Sequence, residues 1–246
     1  MNFLSLFKRN LIYKLKKKIS IDKENFQDKD IDELFYYYGS DKARKFKLNK
    51  KKGHGYSKFY SKHLEVFKNK EINILEVGSY AGASAAAFVK YLTKAKVFCF
   101  DINISNFKYS SKNINVYGLD INNKLKVKKT LNEIFLKNNF KKFDLIIDDG
   151  SHQLSDILFS LKFFFRFLKK DGLFIIEDYK HPNYYDYNRD IDHIFVDDLL
   201  INLKNKNLFK SSVFNEEDQK YLIDQISEIK VYKGELENSD ICFIQK

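Results

Sequence analysis

Cysteine, proline and tryptophan are scarce in this chain. Of 246 residues, two are cysteine, one is proline and none is tryptophan. Cys99 and Cys242 both lie within apolar runs typical of strands, where a free cysteine behaves as a small hydrophobic residue. Neither belongs to a spacing of zinc ligands, so the sequence disfavours a zinc site. The composition is rich in Lys, Asn, Ile and Phe, which indicates an AT-rich coding genome and supplies lysine without selection for anionic partners.

Long apolar runs are absent as well. No run approaches the roughly 18 consecutive apolar residues of a membrane-spanning helix, and the first residues lack the apolar core and cleavage site of a signal peptide. We therefore expect a cytoplasmic protein. A 44% hydrophobic share with 16% aromatic residues is enough to bury one sizeable core. We expect residues 1–70 to form a helical, basic extension and residues 71–246 to form the main domain.

Acidic residues are scarce in two segments, which together account for the formal net charge of +11. Residues 1–20 carry six Lys or Arg and no acid, and residues 42–70 carry eleven against Glu65 alone. The remainder of the chain is mildly acidic. The whole-chain balance is therefore weak evidence for a nucleic-acid partner.

The first basic segment has the pattern of an amphipathic helix. Its apolar residues recur every four positions, with lysines mostly between them. They are Phe3, Phe7, Leu11, Leu15 and Ile19. Such a stripe can lie on an anionic membrane surface through residues 1–19. We favour packing on its own domain or on a partner subunit, and self-association into a homo-oligomer is then expected.

From residue 72 onward, apolar runs alternate with helical patterns. This order predicts a Rossmann-like, doubly wound α/β fold with a mostly parallel sheet. The runs are continuous, as in Leu145–Ile147, which is expected when both faces of a sheet are buried. Two last runs predict an antiparallel hairpin at the edge of the sheet. The predicted strands are 72–77, 96–101, 114–119, 143–148, 173–178, 226–232 and 241–244, and the predicted helices are 31–38, 84–93, 124–138, 154–168 and 191–204.

A glycine turn follows the first of these strands. A dinucleotide fingerprint needs three closely spaced glycines, whereas this turn has Gly78 and Gly82 only. With Ser79 at the middle position and Glu76 just before the turn, the loop suits a cofactor without a phosphate. Asp101 ends the next strand, where a carboxylate can accept hydrogen bonds from a ribose diol.

Carboxylates also follow two later strands. Asp148, Asp149 and His152 end the fourth strand, and Glu177 and Asp178 end the fifth. Open α/β folds place their ligands at this edge of the sheet. Four carboxylates in one place repel each other unless a cation intervenes, and hard divalent metals prefer oxygen ligands. The pattern predicts a divalent-metal site with a histidine that can accept a proton near neutral pH; the alternative is a structural role at the strand ends.

The pattern Glu76-x-Gly78-x-x-x-Gly82, followed by Asp101, resembles the first motif and the following acid of class I S-adenosylmethionine-dependent methyltransferases. The resemblance implies that the turn passes under the methionine part of the cofactor and that Asp101 binds the ribose hydroxyls. Asp120 resembles the position on the adenine side, and Asp148 would contact the cofactor amine or orient the metal shell. The expected cofactor-binding residues are Glu76, Gly78, Ser79, Gly82, Ser84, Asp101, Asp120 and Asp148.

A more specific resemblance covers about residues 35 to 180. The segments are Tyr38-Gly39-Ser40-Asp41-Lys42, His54-Gly55-Tyr56-x-x-x-Tyr60, Asp148-Asp149-Gly150-Ser151-His152 and Glu177-Asp178. Together they are similar to the mycinamicin- and macrocin-type sugar O-methyltransferases. This resemblance implies a Mg2+ ion held by Asp149, Glu177 and Asp178, catalysis by His152 as general base with Asp149, and in-line transfer to a sugar hydroxyl. His54, Tyr56, Tyr60 and His181 are the candidate substrate contacts.

The lysines of residues 42–52 point to the acceptor. Arranged over the cleft they would attract a diphosphate, so we expect a nucleoside-diphosphate-linked sugar used for a bacterial capsule or other surface polysaccharide. One alternative is methylation of another small molecule, including a phosphoramidate-type group. A second is an RNA-binding methyltransferase or a basic adaptor. We expect no nucleic-acid partner, because the basic segments lack a module for stacking single-stranded bases and the acidic edge repels phosphates.

Overall fold

A seven-stranded sheet forms the centre of the protein in the computed structural model, which describes residues 3–26, 29–47, 51–184 and 192–246. The strands are β1 (Ile19–Ser20), β2 (Ile72–Val77), β3 (Ala95–Asp101), β4 (Tyr109–Ser110), β5 (Ile114–Gly118), β6 (Phe143–Asp148), β7 (Leu168–Glu177), β8 (Glu228–Lys233) and β9 (Asp240–Gln245). The order in the large sheet is β5-β3-β2-β6-β7-β9-β8, and β1 pairs with β4 in a separate small sheet. The first five strands of that order are parallel to one another. Strand β9 is antiparallel to both of its neighbours, β7 and β8. The predicted Rossmann-like fold with a C-terminal antiparallel hairpin is confirmed.

Helices cover both faces of the sheet. They are α1 (Phe3–Leu15), α2 (Ile31–Tyr38), α3 (Ser57–Leu64), α4 (Ala83–Tyr91), α5 (Lys124–Asn138), α6 (Leu154–Phe164), α7 (Val196–Lys204) and α8 (Glu216–Gln225). The chain between β6 and β7 departs from the prediction. Helix α6 ends at Phe164 and β7 already begins at Leu168, where it pairs with Phe143. Residue 191, where we predicted the start of a helix, lies outside the described residues, and α7 begins at Val196.

Two hydrophobic cores lie on opposite sides of the sheet. Because side chains alternate along a strand, Leu145 and Ile147 pack with Phe88 of α4, whereas Ile146 packs with Leu158 of α6. All five residues are fully buried. Helices α2 and α3 contribute to the same core as α4. The segment before β2 is therefore packed against the sheet at the edge where β2, β6 and β7 end.

The apolar stripe of α1 does not pack on the domain, which corrects one of our two expectations for it. Phe7, Leu11 and Leu15 are exposed. The opposite face of the helix contacts the domain, where Tyr13 packs edge-on against Phe107. The stripe prediction failed because the contacts of α1 are made by longer polar and aromatic side chains. Among the described residues no helix is long and apolar enough to cross a membrane.

Candidate functional site

The parallel register brings the ends of three strands to one place. Val77 at the end of β2 pairs with Asp148 at the end of β6, and Asp148 pairs with Ile176 of β7. The residues that follow these strands therefore share one edge of the sheet. They include the glycine turn, Asp149 and Asp178.

The glycine turn closes tightly onto the loop after β6. Gly78 has φ +85°, and a Cβ atom built there would lie 1.9 Å from the carbonyl oxygen of Asp149. The Asp149 N–H also donates to the carbonyl of Val77 at 2.9 Å. Gly82 has φ +75°, and its Cβ would lie 2.4 Å from the ring of Phe107. Only glycine fits at either position, because both the backbone angle and the space exclude a side chain.

The carboxylate after β3 is already bonded to nearby backbone. Asp101 Oδ2 accepts from the Tyr80 N–H at 2.7 Å, and Oδ1 accepts from the Asn103 N–H at 2.6 Å. Asp101 therefore ties the glycine turn to the end of β3. Asp120 Oδ1 accepts from the Asn122 N–H at 3.0 Å. Both carboxylates remain partly exposed at the carboxyl edge of the sheet, as a role on the adenosine side of a cofactor requires.

Glu76 is fully buried beneath the turn. Burial raises the pKa of its carboxyl group, while Lys42 and the hydroxyls of Ser84 and Ser79 act in the opposite direction. The thiol of Cys99 lies 3.9 Å from Oε2, and Oε1 has no hydrogen-bond partner among the described residues. A buried acceptor without a partner is expected to bind a donor. The ammonium group of a cofactor is such a donor.

Asp148 does not join the acidic cluster. It points towards Ser160 of α6, on the opposite face of the sheet from Asp149. Its Oδ1 accepts from the Gly150 N–H at 3.2 Å, and burial raises the pKa of its carboxyl group to about 7. The expected convergence of four carboxylates is thus corrected to three, because the Asp148 side chain lies towards Ser160 of α6.

Two of the three remaining carboxylates, Asp149 and Glu177, bond to a buried lysine. Lys42 Nζ donates to Asp149 Oδ2 at 2.5 Å and to Glu177 Oε2 at 2.8 Å. Its side chain is 3% exposed. Burial acts to lower the pKa of the Lys42 amine, but the two carboxylates outweigh it and hold that pKa well above its ordinary value. Sequence analysis grouped Lys42 with the lysines expected to attract a diphosphate and missed its place in the acidic cluster, although it ends the first segment on which the resemblance rests.

Two tyrosines bond to the remaining oxygens of Glu177 and Asp178. Tyr60 lies in α3, and Tyr56 directly precedes that helix. Tyr60 donates its hydroxyl to Glu177 Oε1 at 2.5 Å, and Tyr56 donates to Asp178 Oδ1. Both tyrosines are fully buried. In this geometry Tyr56 and Tyr60, which we predicted as substrate contacts, lie behind the acidic cluster and orient it.

Histidines flank the cluster on its open side. His152 Nε2 lies 3.7 Å from Asp149 Oδ1 and 3.9 Å from Asp178 Oδ2. His54 Nδ1 lies 3.4 Å from Asp178 Oδ1 and 2.7 Å from the hydroxyl of Ser239. The ring centroid of His181 is 5.4 Å from that of His152. His152 and Asp178 both have positive φ, at 56° and 50°, and such strained non-glycine residues cluster at functional sites.

The carboxylates differ in their affinity for protons. Burial raises the pKa of Glu177 to about 8 and also raises that of Asp149, with Lys42 acting against burial in both cases. Burial also acts to raise the pKa of Asp178, but His54, Tyr56 and His152 together lower it. Asp178 is therefore the carboxylate whose charge the protein stabilises most directly.

The donor set fits a hard divalent cation. Ligand atoms of Asp149, His152 and Asp178 lie within 4.8 Å of one another. With Glu177, the cluster holds three carboxylates against the single ammonium of Lys42. The excess of buried oxygen donors and negative charge is what Mg2+ requires. Asp149, Glu177 and Asp178 could hold such an ion.

A cleft of about 660 Å3 opens between the cluster and the glycine turn. Its walls include Gly78, Asp149 and His152, so part of the glycine turn, one predicted metal ligand and the predicted base share one cavity. Lysines 16, 47 and 108 also line the cleft. The lysine tract is only partly at the cleft: Lys42 and Lys47 line it, Lys51 and Lys52 line a separate pocket beside His54, and residues 48–50 lie outside the described residues.

Comparison with known proteins agrees with this architecture. Residues 75–179 match the family model of a methyltransferase domain. The chain is 25% identical over 132 residues to demethylmacrocin O-methyltransferase of Streptomyces fradiae, which is 51% of this chain and 32% of the relative. It is 24% identical over 132 residues to mycinamicin VI 2''-O-methyltransferase of Micromonospora griseorubida, covering 51% of this chain and 31% of that relative. The matched region is thus about a third of the length of these curated relatives.

A solved structure shares the fold over a longer stretch. The MycE methyltransferase from the mycinamycin biosynthetic pathway, in complex with Mg, SAH and mycinamycin VI, superimposes with a TM-score of 0.66 at 18% sequence identity. The superposition covers 89% of this chain and 55% of that chain. Taken with the parallel sheet and the glycine turn, these likenesses show that residues 75–179 match a methyltransferase domain and that the chain is similar to the macrocin- and mycinamicin-type O-methyltransferases.

Proposed function

We propose that the protein is an S-adenosylmethionine-dependent, Mg2+-assisted O-methyltransferase that acts on a sugar hydroxyl. The observation that carries the proposal is the direct contact between the glycine turn and the acidic cluster. Gly78 abuts the backbone of Asp149, and Asp149 lies beside Asp178 and His152. A methyl donor bound at the turn and a hydroxyl bound at the cluster would therefore be neighbours, which is the requirement for direct transfer.

The cofactor residues are those of the glycine turn and the strand ends beside it. Gly78 and Gly82 form the turn that would pass under the methionine part, Glu76 offers a buried acceptor, and Asp101 and Asp120 would lie on the adenosine side. Ser79 and Ser84 are buried next to Glu76 and help to position its carboxylate. S-adenosylmethionine supplies an electrophilic methyl group when bound.

Asp149, Glu177 and Asp178 would hold the metal ion. When bound, Mg2+ supplies positive charge that acidifies and orients acceptor hydroxyls. Tyr56 and Tyr60 hold two of these carboxylates in place from the buried side. Lys42 bonds to Asp149 and Glu177, so it neutralises part of the cluster's charge.

His152 is the proposed general base. Its Nε2 faces Asp149 and Asp178, whose negative charge stabilises the imidazolium that forms on proton uptake. The acceptor oxygen bonds to the methyl carbon as the carbon–sulfur bond breaks. The electron pair of that bond stays on sulfur, and the hydroxyl proton goes to His152. Charge and atoms balance without a covalent intermediate on the protein.

The proposed acceptor is a nucleoside-diphosphate-linked sugar used for a bacterial capsule or other surface polysaccharide. Lysines 16, 47 and 108 line the same cleft as Asp149 of the acidic cluster. Cationic walls attract a diphosphate, whereas a neutral sugar gains nothing from them. The cleft would thus bind the diphosphate at the lysines and the sugar hydroxyl at the metal ligands.

A comparison of acceptors tests this proposal. Purified protein is incubated with S-adenosylmethionine and Mg2+ and with a panel of nucleoside-diphosphate sugars or the matching free sugars, and methylated products are detected by mass spectrometry. We expect methylation of a nucleotide-linked sugar, loss of product with a chelator, and weaker discrimination against the free sugar at high salt. Equal turnover of both acceptors at every salt concentration would reject the diphosphate, and chelator-resistant turnover would reject the metal.

A further inference from the structure

Helix α1 (Phe3–Leu15) contacts the domain through one face only. Arg9 Nη1 donates to the carbonyl of Ile102 at 3.4 Å, and the ring of Tyr13 packs edge-on against Phe107 with centroids 6.3 Å apart. These contacts hold the helix against the loop that follows β3. Phe7, Leu11 and Leu15, on the opposite face of the helix, are exposed.

The outer face of α1 is apolar. Leu4, Phe7, Leu11 and Leu15 are 70%, 60%, 45% and 79% exposed. Their spacing of three, four and four residues places them on one side of the helix. Single exposed leucines are common on protein surfaces, but a continuous apolar stripe marks an interaction surface.

Positive charge borders this stripe. Lys8 and Lys14 are exposed on either side of it, and residues 1–20 carry six Lys or Arg without any acid. A second copy of the helix laid against the first would bring these cations together. The surface therefore favours a partner that is both apolar and anionic.

We infer that the outer face of α1 lies on an anionic lipid bilayer. The stripe enters the boundary between headgroups and acyl chains, and the flanking lysines reach the anionic headgroups, as in interfacial amphipathic helices. The helix has 13 residues, too few to span a bilayer that needs about 20. It lies in the plane of the surface.

The bound helix would bring the candidate active site to the membrane. Lys16, just after α1, and Lys108 both line the cleft beside the glycine turn. The acceptor cleft would then open next to the headgroups. The docking itself does not rest on the proposed function, because it needs neither cofactor nor acceptor.

Vesicle flotation of the whole 246-residue chain tests the inference without measuring activity. The vesicles contain either phosphatidylglycerol with phosphatidylcholine or phosphatidylcholine alone. The test variant is Phe7→Ser/Leu11→Ser, and the matched control is Leu125→Ser/Leu136→Ser, which changes leucines of α5 that are 83% and 84% exposed. Circular dichroism checks that each variant is folded. A third variant, Lys8→Gln/Lys14→Gln, removes charge from the border of the stripe.

The wild-type chain and the α5 control are expected to float with the anionic vesicles and much less with the neutral ones. The α1 apolar variant should lose binding by about tenfold or more, and the lysine variant by about tenfold, because apolar burial and headgroup attraction both contribute. Absence of flotation by the wild-type chain, or equal flotation of the α1 and α5 variants, would overturn the inference. So would a dimer in light scattering that Phe7→Ser/Leu11→Ser dissociates while no vesicle binding is seen.

Discussion

Lys42 is a single side chain on which the acidic cluster depends. Its ammonium is buried between Asp149 and Glu177. A buried ion pair contributes little to the free energy of unfolding compared with apolar residues at all of its positions. Removing one member alone, however, leaves the others with an uncompensated buried charge. The sequence offered no direct signal for this arrangement, because Lys42 is followed closely by several other lysines and the fold alone brings it to the strand ends.

We expect Lys42→Met to lower the free energy of unfolding by about 3–5 kcal/mol in metal-free buffer, since two buried carboxylates lose their partner. Added Mg2+ should restore part of this stability, and the affinity for Mg2+ should rise because a competing cation is gone. Chemical denaturation and calorimetric titration with Mg2+ measure both effects. Lys45→Met, at an exposed lysine nearby, is the control. Equal stability of the two variants would show that the bonds from Lys42 to Asp149 and Glu177 do not stabilise the fold.

His152→Ala tests the proposed base. We expect turnover to fall by about 100-fold to 10,000-fold, the usual contribution of a positioned base. Affinity for S-adenosylmethionine should change little, because the ring faces the acidic cluster rather than the glycine turn. Kinetics and calorimetry separate the two quantities. His193→Ala, at an exposed histidine, is the matched control. Full turnover of His152→Ala would show that His152 is not the general base.

Asp148 predicts a pH dependence of stability. Burial raises its pKa to about 7 from an ordinary value of 3.8, so between these pH values the folded protein holds a proton that the unfolded chain releases. Stability should therefore fall as pH rises through this window, by up to about 1.4 kcal/mol per pH unit from this group. Asp148→Asn should flatten the profile and be the more stable protein at pH 8. Denaturation at several pH values measures this dependence, and Asp198→Asn, at an exposed position, is the control. Parallel stability profiles for the wild type and Asp148→Asn would contradict the assignment.

At the scale of elements, the site depends on the contact between the turn after β2 and the loop after β6. The turn after β2 and the loop after β6 are far apart in sequence, yet Gly78 and Asp149 are in backbone contact. The parallel register of β2 and β6 sets this distance. The glycine at position 78 could be predicted as part of a turn, but the loop that it abuts could not, because that contact depends on the packing of two strands.

Gly78→Ala is expected to destabilise the protein by about 1–3 kcal/mol more than Gly39→Ala. Both glycines have positive φ, at +85° and +81°, but a Cβ atom at Gly39 would meet nothing within 4 Å. The comparison therefore isolates the clash with Asp149. Denaturation curves give the difference, and cofactor affinity should fall for Gly78→Ala. If the two alanine variants are equally stable, the close approach has no energetic consequence.

At the scale of the whole molecule, the order of strands and helices followed from hydrophobic periodicity. The continuous apolar runs of β2, β6 and β7 predicted a buried parallel sheet, and Glu177 and Asp178 were correctly placed at its carboxyl edge. Helix α8 was missed although Asn215 and Asp218 form a capping box, since its sequence is mostly polar and shows little periodicity. The direction of the α1 stripe was wrong, because periodicity reveals a face but not what covers it.

The bonds from Lys42, Tyr56 and Tyr60 to the strand ends have a consequence for dissecting the protein. A fragment starting near residue 71 would retain the whole glycine turn, yet its three acidic ligands would lose their hydroxyl and ammonium partners. The sheet alone would therefore not keep the proposed site intact. A chimaera that takes this sheet into a related protein would therefore also need α2 and α3, which precede β2.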